Sequence, residues 1–105
     1  MRWLELDDLL RWCREIDSED TRATLTAIGN AVEQAIENHL ARPVLTDPPE
    51  NGSTGIQVND VIIQAARMLV SHFNEHREST TEYNLDSLPF GYDYLLRDYR
   101  LRSNP

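Results

Sequence analysis

The chain has 105 residues, and its 18 acidic side chains against 10 basic ones give a formal net charge of −8, with a pI near 4.7. A chain of this length makes one domain, 1–105, and folding buries roughly 65% of its surface, enough for a hydrophobic core without disulfides or a structural metal. The excess of carboxylates opposes both the counterion-releasing grip of a nucleic-acid coat and basic-patch docking on a membrane, and the single cysteine, Cys13, excludes an intramolecular disulfide and a cysteine-based zinc site.

The first helix is predicted from Leu6, Leu9, Leu10, Cys13 and Ile16, which recur at three- and four-residue steps, with Asp7 and Asp8 in its first turn. The pattern breaks at Ile16-Asp17-Ser18, where Asp17 or Ser18 suits the cap of a second helix. Leu25, Ile28, Val32, Ala35, Ile36, His39 and Leu40 form that helix's stripe, about 22 residues running to Ala41 before Pro43 stops it. Gly29 inside it reads as a point of close helix approach. Residues 43–57 hold Pro43, Pro48, Pro49, Gly52 and Gly55 and make a long loop, in which Val44-Leu45-Thr46 and Ile56-Gln57-Val58 leave room for a short β-hairpin. Asn59 and Asp60 are caps for a third helix with the stripe Val61, Ile62, Ala65, Met68, Leu69, His72, Phe73 and His76, ending near Arg77 or Glu78. Ser87 caps a fourth, with Leu88, Tyr92, Leu95, Leu96 and Tyr99 as its stripe and Pro89 and Gly91 in its first turn. The expected fold class is all-α, a small bundle of about four helices.

Every basic residue is arginine, and the absence of lysine leaves rigid forked donors suited to pairing with carboxylates on protein partners. Met1–Leu10 carries acidic residues where a secretory signal carries basic ones, and no apolar run approaches the ~20 residues that span a bilayer, so a cytoplasmic, membrane-free protein is expected. The one string with catalytic form is His72-Phe73-Asn74-Glu75-His76. Histidines four apart share a helix face and could converge on zinc, with Glu75 activating a bound water. Against a metal-dependent hydrolase, both histidines lie on the apolar stripe and little chain follows to supply a third ligand, which favours histidines packed at a helix boundary or subunit contact. Cys13 lies on an apolar stripe as well, as a small core residue does. The acidic pairs Asp7/Asp8 and Glu19/Asp20 are explained by helix dipoles.

Charge is uneven along the chain. Residues 97–102, Arg-Asp-Tyr-Arg-Leu-Arg, carry three arginines and one aspartate, net +2, whereas residues 1–96 carry seven arginines against 17 acidic residues, net −10. Arginine and tyrosine are the side chains of interface anchors, and Arg97, Tyr99, Arg100, Leu101 and Arg102 are the candidate partner-binding residues of a C-terminal docking segment, 97–105. The alternative is a solvated helix tail whose arginines complement the dipole.

The order of these parts resembles the small head-tail connector (head completion, adaptor) proteins of long-tailed bacteriophages. The resemblance rests on Leu6-Asp7-Asp8-Leu9-Leu10, the acidic break Asp17-Ser18-Glu19-Asp20, the helix end Val32–Leu40, the run Ile63–Glu78 closing on Arg77-Glu78, then Leu88-Pro89, Leu95-Leu96 and Tyr99-Arg100, and it covers nearly the whole chain. It implies a non-enzymatic virion protein without metal or cofactor, assembled in the host cytoplasm. Such a subunit joins a homo-oligomeric ring, of twelve copies in the virion, beneath the portal protein after DNA packaging. The ring extends the channel and presents a surface to the next connector or tail protein. DNA passes through without specific binding, and an acidic wall would keep it from sticking. A generic bacterial helical adaptor would share every feature except ring assembly.

Overall fold

The computed structural model describes residues 1–75 and 90–101. The order of elements is α1 (Leu6–Cys13), α2 (Glu19–Leu40), β1 (Val44–Leu45), β2 (Ile56–Gln57), α3 (Asp60–Glu75) and α4 (Phe90–Leu96), followed by a 3₁₀ turn over Arg97–Tyr99. Among the described residues this is an all-α fold of four helices, as the periodicities predict. His76, the expected end of α3 at Arg77 or Glu78, the cap Ser87, Leu88, Pro89 and Arg102 lie outside the described residues.

Local signals set the helix ends. Ser18 caps α2, its hydroxyl accepting the Thr21 amide at 3.1 Å, and Glu19 and Asp20 follow in the first turn. At the start of α3 the Asn59 side chain accepts the Ile62 amide at 3.0 Å. Two helices close on non-glycine residues in the left-handed region, Arg14 (φ 55°) after α1 and Ala41 (φ 58°) after α2. In each, the next amide reaches back to close the turn, Glu15 N–H to the Leu10 carbonyl and Arg42 N–H to the Glu37 carbonyl.

The reversal at Arg14 corrects one expectation. Ile16 sits three residues after Cys13 in sequence, yet it falls beyond the helix end and is 82% exposed, because the left-handed turn swings the chain off the α1 axis. The second correction concerns the loop. β1 and β2 pair, but in parallel, with Val44 opposite Ile56 and Leu45 opposite Gln57, so they are not a hairpin. Antiparallel arms need only a tight turn. The ten intervening residues instead carry the chain back to the start of the ladder, where Ile56 N–H meets the Pro43 carbonyl at 3.0 Å and Val58 N–H the Leu45 carbonyl at 2.7 Å.

α1 and α3 run side by side in the same direction, joined by Asp8 to Arg67 and by Glu15 to Asn74, and α2 runs antiparallel to both. Leu9, Leu25, Val32, Ile36, Leu40, Ile62, Ala65, Ala66, Leu69, Val70 and Leu96 fill the space between them. Gly29 is buried where α1 approaches α2: a Cβ there would collide with Met1 Sδ and sit 3.4 Å from Leu9 Cδ1. The segment before α1 belongs to the core as well. Trp3 and Leu4 are buried, and the peptide carrying them is held by Glu33, the one buried charged residue among the described residues, at 2% exposure. Its carboxylate accepts the backbone amides of Arg2 (3.0 Å), Trp3 (2.8 Å) and Leu4 (2.9 Å), three consecutive donors that would otherwise be stranded.

Candidate docking surface

The far end of α2 is where the candidate C-terminal residues gather. Its last turn meets the chain again sixty residues later. Leu101 N–H donates to the Leu40 carbonyl at 2.8 Å, satisfying one of the carbonyls a helix terminus leaves open. Arg42, two residues past the helix, donates to the carbonyls of Thr54 (2.7 Å), Gly55 (3.2 Å) and Tyr99 (3.2 Å). One guanidinium thereby ties the loop and the C-terminal segment to α2. Its planar fork presents donors in several directions at once, which an ammonium could not do with the same geometry. Nothing in the spacing of Arg42 marks it for this work, and it is the residue of this surface that the periodicities pass over.

Within the segment, side chains divide by direction. Tyr99 packs against the core as the stripe predicts, alongside Leu95, and the Tyr92 ring lies 5.2 Å from His39 on α2. Arg97 and Arg100 are exposed, Tyr94 is 70% exposed and Leu101 39%. Val61, Tyr94, Leu95, Arg97, Asp98 and Tyr99 line an open cleft of about 380 Å³ between the start of α3 and the C-terminal segment. The structure therefore brings Arg97 and Tyr99 together with Val61 and Tyr94 and leaves Arg100 and Leu101 outside that cleft. An open, aromatic-walled groove flanked by an arginine can take up an apolar side chain with a neighbouring carboxylate. Among the described residues it holds no arrangement of nucleophile and base.

Comparison of the chain with family models, with curated proteins and with solved structures finds no match. The functional reading rests on the residues themselves.

The histidine string is the other sequence candidate. His72 is half-buried on α3 with its ring 5.9 Å from Phe73, edge to face, and Glu75 is exposed at the last turn. Among the described residues, no three His, Cys, Asp or Glu side chains are grouped as a metal ion requires. Cys13 is half-buried and packs against the core, and burial, with the carboxylates of Glu15 and Glu75 nearby, pushes its thiol above the ordinary value. A raised thiol is a poor nucleophile at neutral pH. No helix among the described residues is long and apolar enough to cross a membrane.

Proposed function

We propose that this chain is a ring-forming head-tail connector subunit, a structural virion component that docks beneath the portal protein, extends the DNA channel and offers a surface to the next connector or tail protein. The observation that supports this most is the construction of the C-terminal end. An arginine- and tyrosine-bearing segment is fixed onto the terminus of α2 by Leu101 and Arg42, with Tyr99 packed on the core, while the side chains of Tyr94, Arg97 and Arg100 stay outward. A solvated tail has no need of such anchoring, whereas a docking segment gains from being held in its bound shape before the partner arrives. In this reading the cleft at Arg97, Tyr94 and Tyr99 meets the portal or tail protein, and the net −8 charge repels the DNA that passes.

The test is cosedimentation of the purified chain with the cognate portal ring, with negative-stain images of the product. A collar of density beneath the portal, lost in the Arg97→Glu chain, is the expected result. No binding at roughly 100 μM, where even a small specific interface is populated, would refute the proposal.

A further inference from the structure

The asparagines among the described residues differ in how their neighbouring amides are used. Asn30, Asn38 and Asn74 lie within α2 and α3, where the amide of the following residue is committed to the helix ladder. Asn59 caps α3, its side-chain oxygen accepting the Ile62 amide at 3.0 Å. Asn51 is exposed, is followed by Gly52, and stands at the corner of the loop between β1 and β2. That corner is a β-turn. Ser53 N–H donates to the Glu50 carbonyl at 3.0 Å, and Gly52, third in the turn, has φ +86°, as a type II turn requires. Nothing lies within 4 Å of the place a Gly52 Cβ would take. Among the described residues, neither the Asn51 side-chain amide nor the Gly52 N–H takes part in a hydrogen bond. One turn bond is thus all that resists rotation of the Asn51 backbone, and the Gly52 nitrogen is uncrowded.

We propose that Asn51 is a site of spontaneous deamidation. The Gly52 amide nitrogen gives up its proton to solvent base and attacks Cγ of Asn51. The new N–C bond closes a cyclic imide, and the side-chain nitrogen leaves as ammonia. Water then adds to one of the two imide carbonyls and opens the ring. Opening at one carbonyl leaves aspartate at position 51; opening at the other leaves isoaspartate, whose main chain runs through the side-chain carbon. The balance is amide plus water to carboxylic acid plus ammonia, with no cofactor or enzyme. Either product adds a carboxylate to a loop that already exposes Asp47 and Glu50, and takes the formal charge one unit below −8. Isoaspartate also lengthens the backbone by one carbon inside the turn and disturbs the Ser53 bond. The ladder is held apart from that change, because Arg42 grips the Thr54 and Gly55 carbonyls and Ile56 N–H bonds to the Pro43 carbonyl. The modified chain therefore keeps its fold and carries a new charge at the loop tip. This proposal is independent of the connector reading.

The test ages the purified chain in mildly alkaline buffer and samples it over time. Tandem mass spectrometry of proteolytic peptides gives the conversion at each asparagine, and labelling by protein isoaspartyl methyltransferase measures the isoaspartate formed. Conversion at Asn51 should be at least about tenfold faster than at Asn30, Asn38, Asn59 or Asn74, the ratio produced by a barrier difference of about 1.4 kcal/mol. The rate should rise with pH, as loss of the Gly52 amide proton requires, while the circular dichroism spectrum stays that of the fresh chain. Asn51→Gln, verified as folded in the same way, should lose most of the isoaspartate label, because its longer side chain closes the corresponding ring far more slowly. Unfolding in urea should speed the four other sites and leave the Asn51 rate little changed, since the turn gives it no protection. An Asn51 rate no greater than those of the helical asparagines, a rate that climbs steeply on unfolding, or a label undiminished in Asn51→Gln would each overturn the proposal.

Discussion

Glu33 offers the most direct test of how this fold is held. In Glu33→Ala, the amides of Arg2, Trp3 and Leu4 lose their acceptor, and those of Trp3 and Leu4 are in buried positions. A buried donor left unsatisfied costs about 1–3 kcal/mol, so retaining the native path would cost about 2–6 kcal/mol. The chain has a second route: residues 1–4 can peel away and hydrate. That exposes Leu4 and Trp3, about 6–9 kcal/mol of apolar burial, but returns the conformational entropy of four residues, about 4–8 kcal/mol. The cheaper route sets the loss: the two costs centre on about 4 kcal/mol for the native path and about 1.5 kcal/mol for peeling, which places the loss near 1.5 kcal/mol, or roughly 6–12 °C in midpoint for a domain of this size. Glu33→Gln keeps the volume and one acceptor and should lose about half as much. Urea and thermal unfolding followed by circular dichroism measure both. Fluorescence on a Trp12→Phe background, where Trp3 is the remaining tryptophan, shows which route is taken: a red-shifted native spectrum means peeling. If Glu33→Ala unfolded within about 0.5 kcal/mol of the unaltered chain, the range of an ordinary surface substitution, the three-amide cradle would carry no stability and the reasoning would fall.

Two further outcomes follow from contacts already described. Arg42→Ala removes the donor to the Thr54, Gly55 and Tyr99 carbonyls; a loss of about 1–2 kcal/mol is expected, with faster hydrogen exchange at the Leu101 amide, and unchanged exchange there would refute the shared anchor. The Cys13 thiol, raised by burial and by Glu15 and Glu75, should be alkylated slowly at neutral pH, with a pH–rate midpoint above the ordinary value of 9.0; a midpoint below it would mean that the thiol is activated.

The helices were legible because their signals are local. Ser18 and Asn59 have the side chains that caps require, Pro43 cannot continue a helix, and the apolar stripes of α2 and α3 face the core as spaced. Three things were not. Ile16 continues the three-and-four spacing, and no glycine marks the turn at Arg14 that ends it. Val44-Leu45 and Ile56-Gln57 have strand-forming composition, but composition carries no information about relative direction, which here is set by where Arg42 and the loop meet. Glu33 reads as a solvated helix residue between Val32 and Gln34, because the segment that buries it is thirty residues away and lies outside any periodic pattern. The C-terminal segment stands out in the sequence by its charge, but the means by which it is fixed does not, since Arg42 and Leu40 meet it only through contacts across some sixty residues of sequence.

The grip of Arg42 also bears on how the C-terminus can be probed. Tyr99 packs on the core, its carbonyl is one of three held by that guanidinium, and the Leu101 amide occupies a carbonyl at the end of α2. Deleting residues from 97 onward would strip a helix terminus of its closure and free a cation from one of its acceptors, loosening the loop at Thr54 and Gly55 from a distance. A truncated chain that failed to assemble would thus report frayed architecture as readily as a missing contact. Single exchanges at the outward side chains of Arg97, Arg100 and Leu101 leave the seam closed, and only those isolate recognition from scaffolding.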